Sequence, residues 1–185
     1  RFLISYAHGV AVELTEFFQQ IPGVEKVTPA GSLRRGRETA GDLDLLVTGP
    51  GAAEVLLAFE KHPRVAEVLG RGENKASARF GLEGIQVDVR ALPRESYGAG
   101  LQYFTGSKEH NIIVRNRAVR MGMTLNEYGL FKLEDNSLVA AETEEAIYAA
   151  LGLDWIPPEL RENQGEIEAA AEHRLPQLIE RRHIQ

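Results

Sequence analysis

At 185 residues the chain can hold one or two compact domains with a real core, and its 43% hydrophobic content is ordinary for a globular protein. No apolar run approaches the ~20 residues of a membrane span, no secretory signal pattern opens the chain, and the absence of cysteine excludes disulfides and thiolate metal sites. The net charge of −6 is uneven: residues 134–172 hold eleven acids against one arginine, which leaves +4 on the remainder and a modest, salt-sensitive footprint for a polyanion.

Leu3, Ala7, Val10, Leu14, Phe17 and Phe18 recur at three- and four-residue steps and predict an amphipathic helix, closed by Pro22-Gly23. Strands are expected over 24–30 and 42–47, then a helix from Ala52 to about Lys61, then strands over 65–69, 76–80 and 85–92. From about Tyr97 the character changes. Ser107 can cap a helix running to about Met121, with Ile112, Ile113, Val114 and Val119 on its buried side. Strands follow over 124–130 and 131–139, joined around Asp135-Asn136, and Thr143 can cap a helix through Leu151. Residues 166–171 and 175–184 read as helical tail or linker. The expected organisation is α+β: a helix-flanked mixed sheet over 1–96, a smaller α+β unit over 97–160, and a tail over 161–185.

The chemistry concentrates in two segments. Gly31-Ser32-Leu33-Arg34-Arg35-Gly36 begins eleven residues ahead of the Asp42-Leu43-Asp44 that follows Gly41. Strand alternation places Asp42 and Asp44 on one face and Leu43 and Leu45 on the other. Paired carboxylates with no cysteine or paired histidine nearby favour Mg²⁺ over zinc. Taken alone, Asp-x-Asp is more often a solvated turn or an exposed strand edge. Asp88, in the alternating Gln86-Val87-Asp88-Val89-Arg90, would complete a two-metal set if its strand is a neighbour; Arg90 would equally serve as its surface partner. The Gly-Ser turn supplies N–H groups, a hydroxyl and a guanidinium that suit phosphate oxygens. The five histidines have no metal-ligand spacing.

The second segment is Tyr103-Phe104-Thr105-Gly106-Ser107-Lys108-Glu109-His110-Asn111, followed by Arg115 and by Asn126-Glu127-Tyr128-Gly129-Leu130. Together the two segments resemble the family X DNA polymerases, the family of DNA polymerase β, over about residues 1–160. The resemblance implies a nucleotidyltransferase palm with a small nucleotide-binding subdomain, and DNA-directed addition of a deoxynucleoside monophosphate to a primer 3′-end. It implies two Mg²⁺ ions, for which Mn²⁺ can substitute, held by Asp42, Asp44 and Asp88. It assigns nucleotide binding to Gly31, Ser32, Arg35, Gly41, Tyr103, Phe104, Gly106 and Asn111, and template-side contacts to Arg115 and Tyr128; Lys108 is expected at the nucleotide as well, and the basic residues Arg71, Lys75 and Arg90 at DNA. Packing is the alternative for Tyr103, Phe104 and Tyr128, and a capping or surface role for Asn111 and Arg115.

Lys108 and Gln86 depart from the vertebrate relatives, which carry an acid and an arginine there, so contacts to the base and to the primer are expected to differ. The start at Arg1 and the run Arg181-Arg182-His183-Ile184-Gln185 suggest a piece of a longer bacterial, cytoplasmic repair enzyme that continues into a PHP-type phosphoesterase domain. Expected partners are a dNTP and gapped or primed DNA, with no membrane, and the expected state is a monomer engaged in base excision repair. The rivals are a nucleotidyltransferase acting on another substrate and a catalytically weak module that binds dNTP or DNA.

Overall fold

A computed structural model describes residues 1–177, so the expected connector at 181–185 lies outside the described residues, as does most of the helix expected over 175–184. The chain opens with a short strand β1 (Phe2–Leu3) and helix α1 (Ile4–Gln19). Ala7, Val10, Ala11, Leu14 and Phe18 form the buried stripe of α1, while Leu3 stays exposed. Strand β2 (Lys26–Pro29) leads into a single helical turn, α2 (Gly31–Arg34), where a simple turn was expected. Next come β3 (Thr39–Ala40), which pairs with β1, and β4 (Asp42–Thr48). Helix α3 (Ala52–Glu60) and strands β5 (Val65–Arg71), β6 (Lys75–Phe80) and β7 (Ile85–Leu92) complete the first unit.

The five-stranded sheet runs β2-β4-β7-β6-β5, with β4 and β7 parallel and the other neighbours antiparallel. The apolar side of β4, Leu43, Leu45 and Val47, is sealed into one core with α1 and α3. Burying each such side chain contributes about 1.5–3 kcal/mol, and alternation then obliges Asp42 and Asp44 to face the other way.

The second unit begins with α4 (Tyr97–Thr105) and α5 (Lys108–Arg120). Three antiparallel strands follow, β8 (Met123–Asn126), β9 (Gly129–Lys132) and β10 (Leu138–Ala140), then α6 (Glu144–Ala150) and α7 (Glu166–Ala171). The Oγ of Ser107 and the Oγ1 of Thr143 cap α5 and α6, accepting from the N–H groups of His110 and Ala146.

The two long strands expected over 124–139 are three short ones. The Oδ1 of Asn126 accepts from the N–H of Tyr128 and of Gly129, which folds the chain into an extra turn. Ile112 and Val119 lie on the exposed side of α5, and its buried side is His110, Asn111, Val114 and Ala118. The second core also runs past residue 160: Arg161, Ile167 and Ala170 are buried against α4, α5 and α6, so residues 161–171 are not a linker.

A candidate nucleotide and metal site between the two units

Parallel pairing sets Asp42 opposite Gln86 and Asp44 opposite Asp88. Asp42 is exposed, Asp44 half-buried and Asp88 buried. Like charges ~5 Å apart on neighbouring strands repel by about 3 kcal/mol at an effective dielectric near 20. Two groups relieve Asp88 and Asp44: Gln86 Nε2 donates to Asp88 Oδ1 at 3.2 Å, and Arg90 reaches across with Nε 3.6 Å from Asp44 Oδ1 and a terminal nitrogen 4.0 Å from Asp88 Oδ2. The guanidinium of Arg90 also stacks over the Phe104 ring at 4.1 Å, and its buried Nε makes no hydrogen bond. Burial pushes the Asp44 carboxyl up to about 6; Arg90 pulls it down, and Asp88 and Asp42 push it further up.

Among the described residues no three acidic or histidine side chains converge into a cage for an ion. That is compatible with Mg²⁺, which takes one or two carboxylates and completes its shell with waters and phosphate oxygens. Asp42, Asp44 and Asp88 are all hard oxygen donors, the ligand type that Mg²⁺ takes.

A cleft of about 560 Å³ opens at the acids. Gly31, Ser32, Arg35 and Gly41 line one side with Asp42 and Asp44. Gly31 has φ +64°, and a Cβ there would stand 3.3 Å from Asp44 Oδ2, so the turn and the acid pack too closely for a side chain. Arg35 is held in the wall: Nε donates to Glu162 Oε1 at 2.6 Å and a terminal nitrogen to the Thr105 carbonyl at 2.6 Å. Its neighbour Arg34 points elsewhere, forking onto Glu144 and reaching the Thr105 hydroxyl. Glu144 is also gripped by buried Arg161, and these two guanidiniums overcome the cost of burial to hold its carboxyl down at about 2.

Tyr103, Phe104, Thr105 and Gly106 form the opposite side, and Lys108, Asn111 and Arg115 continue it along one face of α5, as their i, i+3, i+7 spacing requires. The structure thus brings all nine residues expected at the nucleotide to one cleft with Asp42 and Asp44. It also adds Arg1, which sequence reasoning missed. Arg1 donates to the Thr39 hydroxyl and carbonyl, both at 2.8 Å, and is thereby fixed at the cleft beside Gly41. Only the β1–β3 pairing brings it there, and a two-residue strand leaves almost no sequence signal.

The expected DNA contacts divide. Lys75, Arg90 and Tyr128 line a second hollow of about 450 Å³, and Phe104 is the wall common to both hollows. Arg115 lies in the first cleft instead. Arg71 lines neither; it pairs with Glu60 at 3.1 Å.

The family model for the DNA polymerase beta thumb matches residues 100–162, from α4 through the turn at Arg161. The chain is 38% identical over 169 residues to the DNA polymerase/3′-5′ exonuclease PolX of Bacillus subtilis (strain 168), covering 91% of this chain and 30% of that protein. The chain belongs to the family X DNA polymerases. Another family X relative is DNA polymerase lambda of Arabidopsis thaliana, 28% identical over 77% of this chain and 33% of that protein. The chain spans about a third of the length of these curated relatives. The polymerase β fold itself is matched by the structure of Leishmania infantum polymerase beta in a ternary gap complex, with a TM-score of 0.75 at 22% identity over 87% of this chain and 70% of that one. The chain is thus α+β, with a mixed sheet flanked by helices, and matches the polymerase β fold as expected.

Proposed function

We propose that the chain catalyses DNA-templated nucleotidyl transfer, joining a deoxynucleoside monophosphate to a primer 3′-hydroxyl with release of pyrophosphate. The observation that supports this reading is that Asp42 and Asp44 line a cleft with the Gly31-Ser32 turn and the Tyr103–Asn111 segment, while Asp88, buried behind them, is paired with Asp44 on the neighbouring strand. The acids fit two Mg²⁺ ions, which when bound would acidify the hydroxyl and offset charge developing on the α-phosphate. Asp42 and Asp44 would share both ions, and Asp88 would hold the one at the primer and accept the hydroxyl proton.

The remaining roles follow from position. Ser32 and the backbone N–H groups around it would bind phosphate oxygens, and Arg35 and Arg1 would supply the positive charge that a triphosphate requires. Lys108, at the exposed entrance, adds a cation on the nucleotide side. The close-packed backbone at Tyr103–Gly106 would pass beneath the sugar, where a ribose 2′-hydroxyl has little room. Asn111 would meet the minor-groove edge of the base, and Arg115, one turn further along α5, the template. Lys75, Arg90 and Tyr128 in the second hollow would meet DNA. The cell-level role we propose is gap filling in bacterial base excision repair by a cytoplasmic monomer.

Extension of a labelled primer across a one-nucleotide gap tests this, with Mg²⁺ and each dNTP supplied separately and Asp42→Ala as control. Addition of the complementary nucleotide by the parent chain alone supports templated transfer; addition without regard to the template, or equal addition by Asp42→Ala, refutes it.

A further inference from the structure

The amide of Asn111 is fixed by the groups behind it. Its Oδ1 accepts from Gln102 Nε2 at 2.8 Å, and its Nδ2 donates to the Tyr103 carbonyl at 2.9 Å. Gln102 sits on α4 and is 1% exposed. Further buried polar contacts tie the surrounding helices together: the Tyr148 hydroxyl is 2.8 Å from His110 Nε2, and His110 Nδ1 is 2.6 Å from Glu166 Oε2. These contacts link α7, α5 and α6, while Gln102 joins α4 to α5 at the cleft.

The Tyr103 carbonyl can only accept, so it fixes which way the Asn111 amide points and makes Gln102 the donor to its oxygen. An ionised Glu166 can only accept. It does so from the N–H groups of Asn163 and Gln164 at 2.9 and 2.7 Å as well as from His110, and these bonds hold its carboxyl down despite burial. His110 Nδ1 must then be the donor. Burial holds the imidazole neutral, so Nε2 accepts and the Tyr148 hydroxyl donates to it. An N–H of Gln102 goes to Asn111 Oδ1. Asn111 is left with its oxygen engaged, one N–H on Tyr103, and a second N–H unspent in a residue that lines the cleft.

We propose that Gln102 is a positioning residue that fixes the Asn111 amide in the orientation offering a donor to the nucleobase; this rests on the nucleotide-binding reading of the cleft. The minor-groove edge of every base presents an acceptor, N3 in purines and O2 in pyrimidines. A fixed donor therefore serves all four nucleotides alike and leaves selection to template pairing. A flipped amide would set oxygen against acceptor for every one of them, and would also face the Tyr103 carbonyl with an oxygen.

The test compares Kd for dATP with Kd for 3-deaza-dATP, which lacks the N3 acceptor, in Mg²⁺ on a one-nucleotide gapped duplex with a templating thymine and a primer ending in a 2′,3′-dideoxynucleotide, so that no transfer occurs. The parent chain should bind dATP about tenfold more tightly, the worth of one hydrogen bond. In Gln102→Met that preference should fall below about threefold through loss of dATP affinity, with 3-deaza-dATP changed by less than about twofold. Gln102→Glu, of the same shape but unable to donate when ionised, should lose the preference in the same way and carries the test if the first variant does not melt cooperatively. Equal weakening of both nucleotides would make Gln102 a purely structural residue and overturn the proposal, as would a preference that survives both substitutions. A parent chain that binds both nucleotides equally overturns the donor assignment alone, whereas one that binds neither overturns the reading of the cleft beneath it.

Discussion

Asp44 and Asp88 face each other across the parallel pair β4 and β7, and Arg90, two residues beyond Asp88 on the same strand, lies within 4 Å of both carboxylates. The arrangement gathers more negative charge than one guanidinium offsets, because Asp42 adjoins it. Burial and these neighbours bring the Asp44 carboxyl up to about 6.

The first prediction follows from that shift. Asp44 titrates higher in the folded chain than unfolded, so it carries no penalty below about pH 4 and costs progressively more stability as pH rises through about 6. The penalty at neutral pH is on the order of 3 kcal/mol without a divalent ion. Asp44→Asn should therefore match the parent in melting temperature near pH 4 and exceed it at pH 8. Mg²⁺ should narrow the gap at pH 8. Thermal melts of both proteins at the two pH values, with and without Mg²⁺, check this.

Glu144 predicts the opposite pH behaviour. Its carboxyl is held down at about 2 by Arg34 and Arg161, so its contribution is present above about pH 4.5 and is lost as pH falls towards 2. Glu144→Gln would leave Arg161, fully buried, and Arg34 without their counter-charge. The expected loss is about 3–5 kcal/mol, read by urea denaturation at pH 7. A change below about 1 kcal/mol would mean that the two arginines find other partners.

Much of this site was legible because its determinants are local. The two-residue period of β4 placed Asp42 and Asp44 on one face; Lys108 and Asn111 were expected at the nucleotide and Arg115 at DNA, and the structure sets all three along one face of α5. Elements with non-local causes were not legible. Helix α4 carries Gly98 and Gly100, which weaken a helical pattern; a Cβ at Gly98 would come within 2.4 Å of the Thr143 backbone. That need is invisible until α4 and α6 are packed together. The partners of Arg34 and His110 lie 110 and 56 residues away, so neither network has a spacing to read. The exposure of Ile112 and Val119 has the same origin: buried polar groups, His110 and Asn111, took the inward face of α5 that hydrophobicity alone would give to them.

Gly98→Ala tests that packing argument directly. Helix propensity alone favours alanine by roughly 1 kcal/mol, but the overlap with Thr143 should reverse the sign and destabilise the chain by about 1–3 kcal/mol. Chemical denaturation of the variant gives the answer, and a stabilised variant would mean that α4 and α6 are not in close contact in solution.

On the proposed function Glu162 would compete with a triphosphate for Arg35, because it already occupies the Nε edge of that guanidinium. Glu162→Gln should tighten dNTP binding several-fold while leaving nucleoside binding unchanged, and Arg35→Ala should weaken the triphosphate about tenfold or more. Calorimetric titration of the two variants with dATP and deoxyadenosine separates these effects.

The proposed function requires the cleft between Gly31-Ser32 and Tyr103–Asn111 to take a metal-bound deoxynucleoside triphosphate on Asp42, Asp44 and Asp88. Titration of the chain with a dNTP in Mg²⁺, in EDTA, and with Asp42→Ala in Mg²⁺ measures this. Binding should be saturable and one-to-one, and both EDTA and Asp42→Ala should weaken it at least tenfold. Binding of equal strength in all three conditions, or no binding in Mg²⁺, would contradict that function.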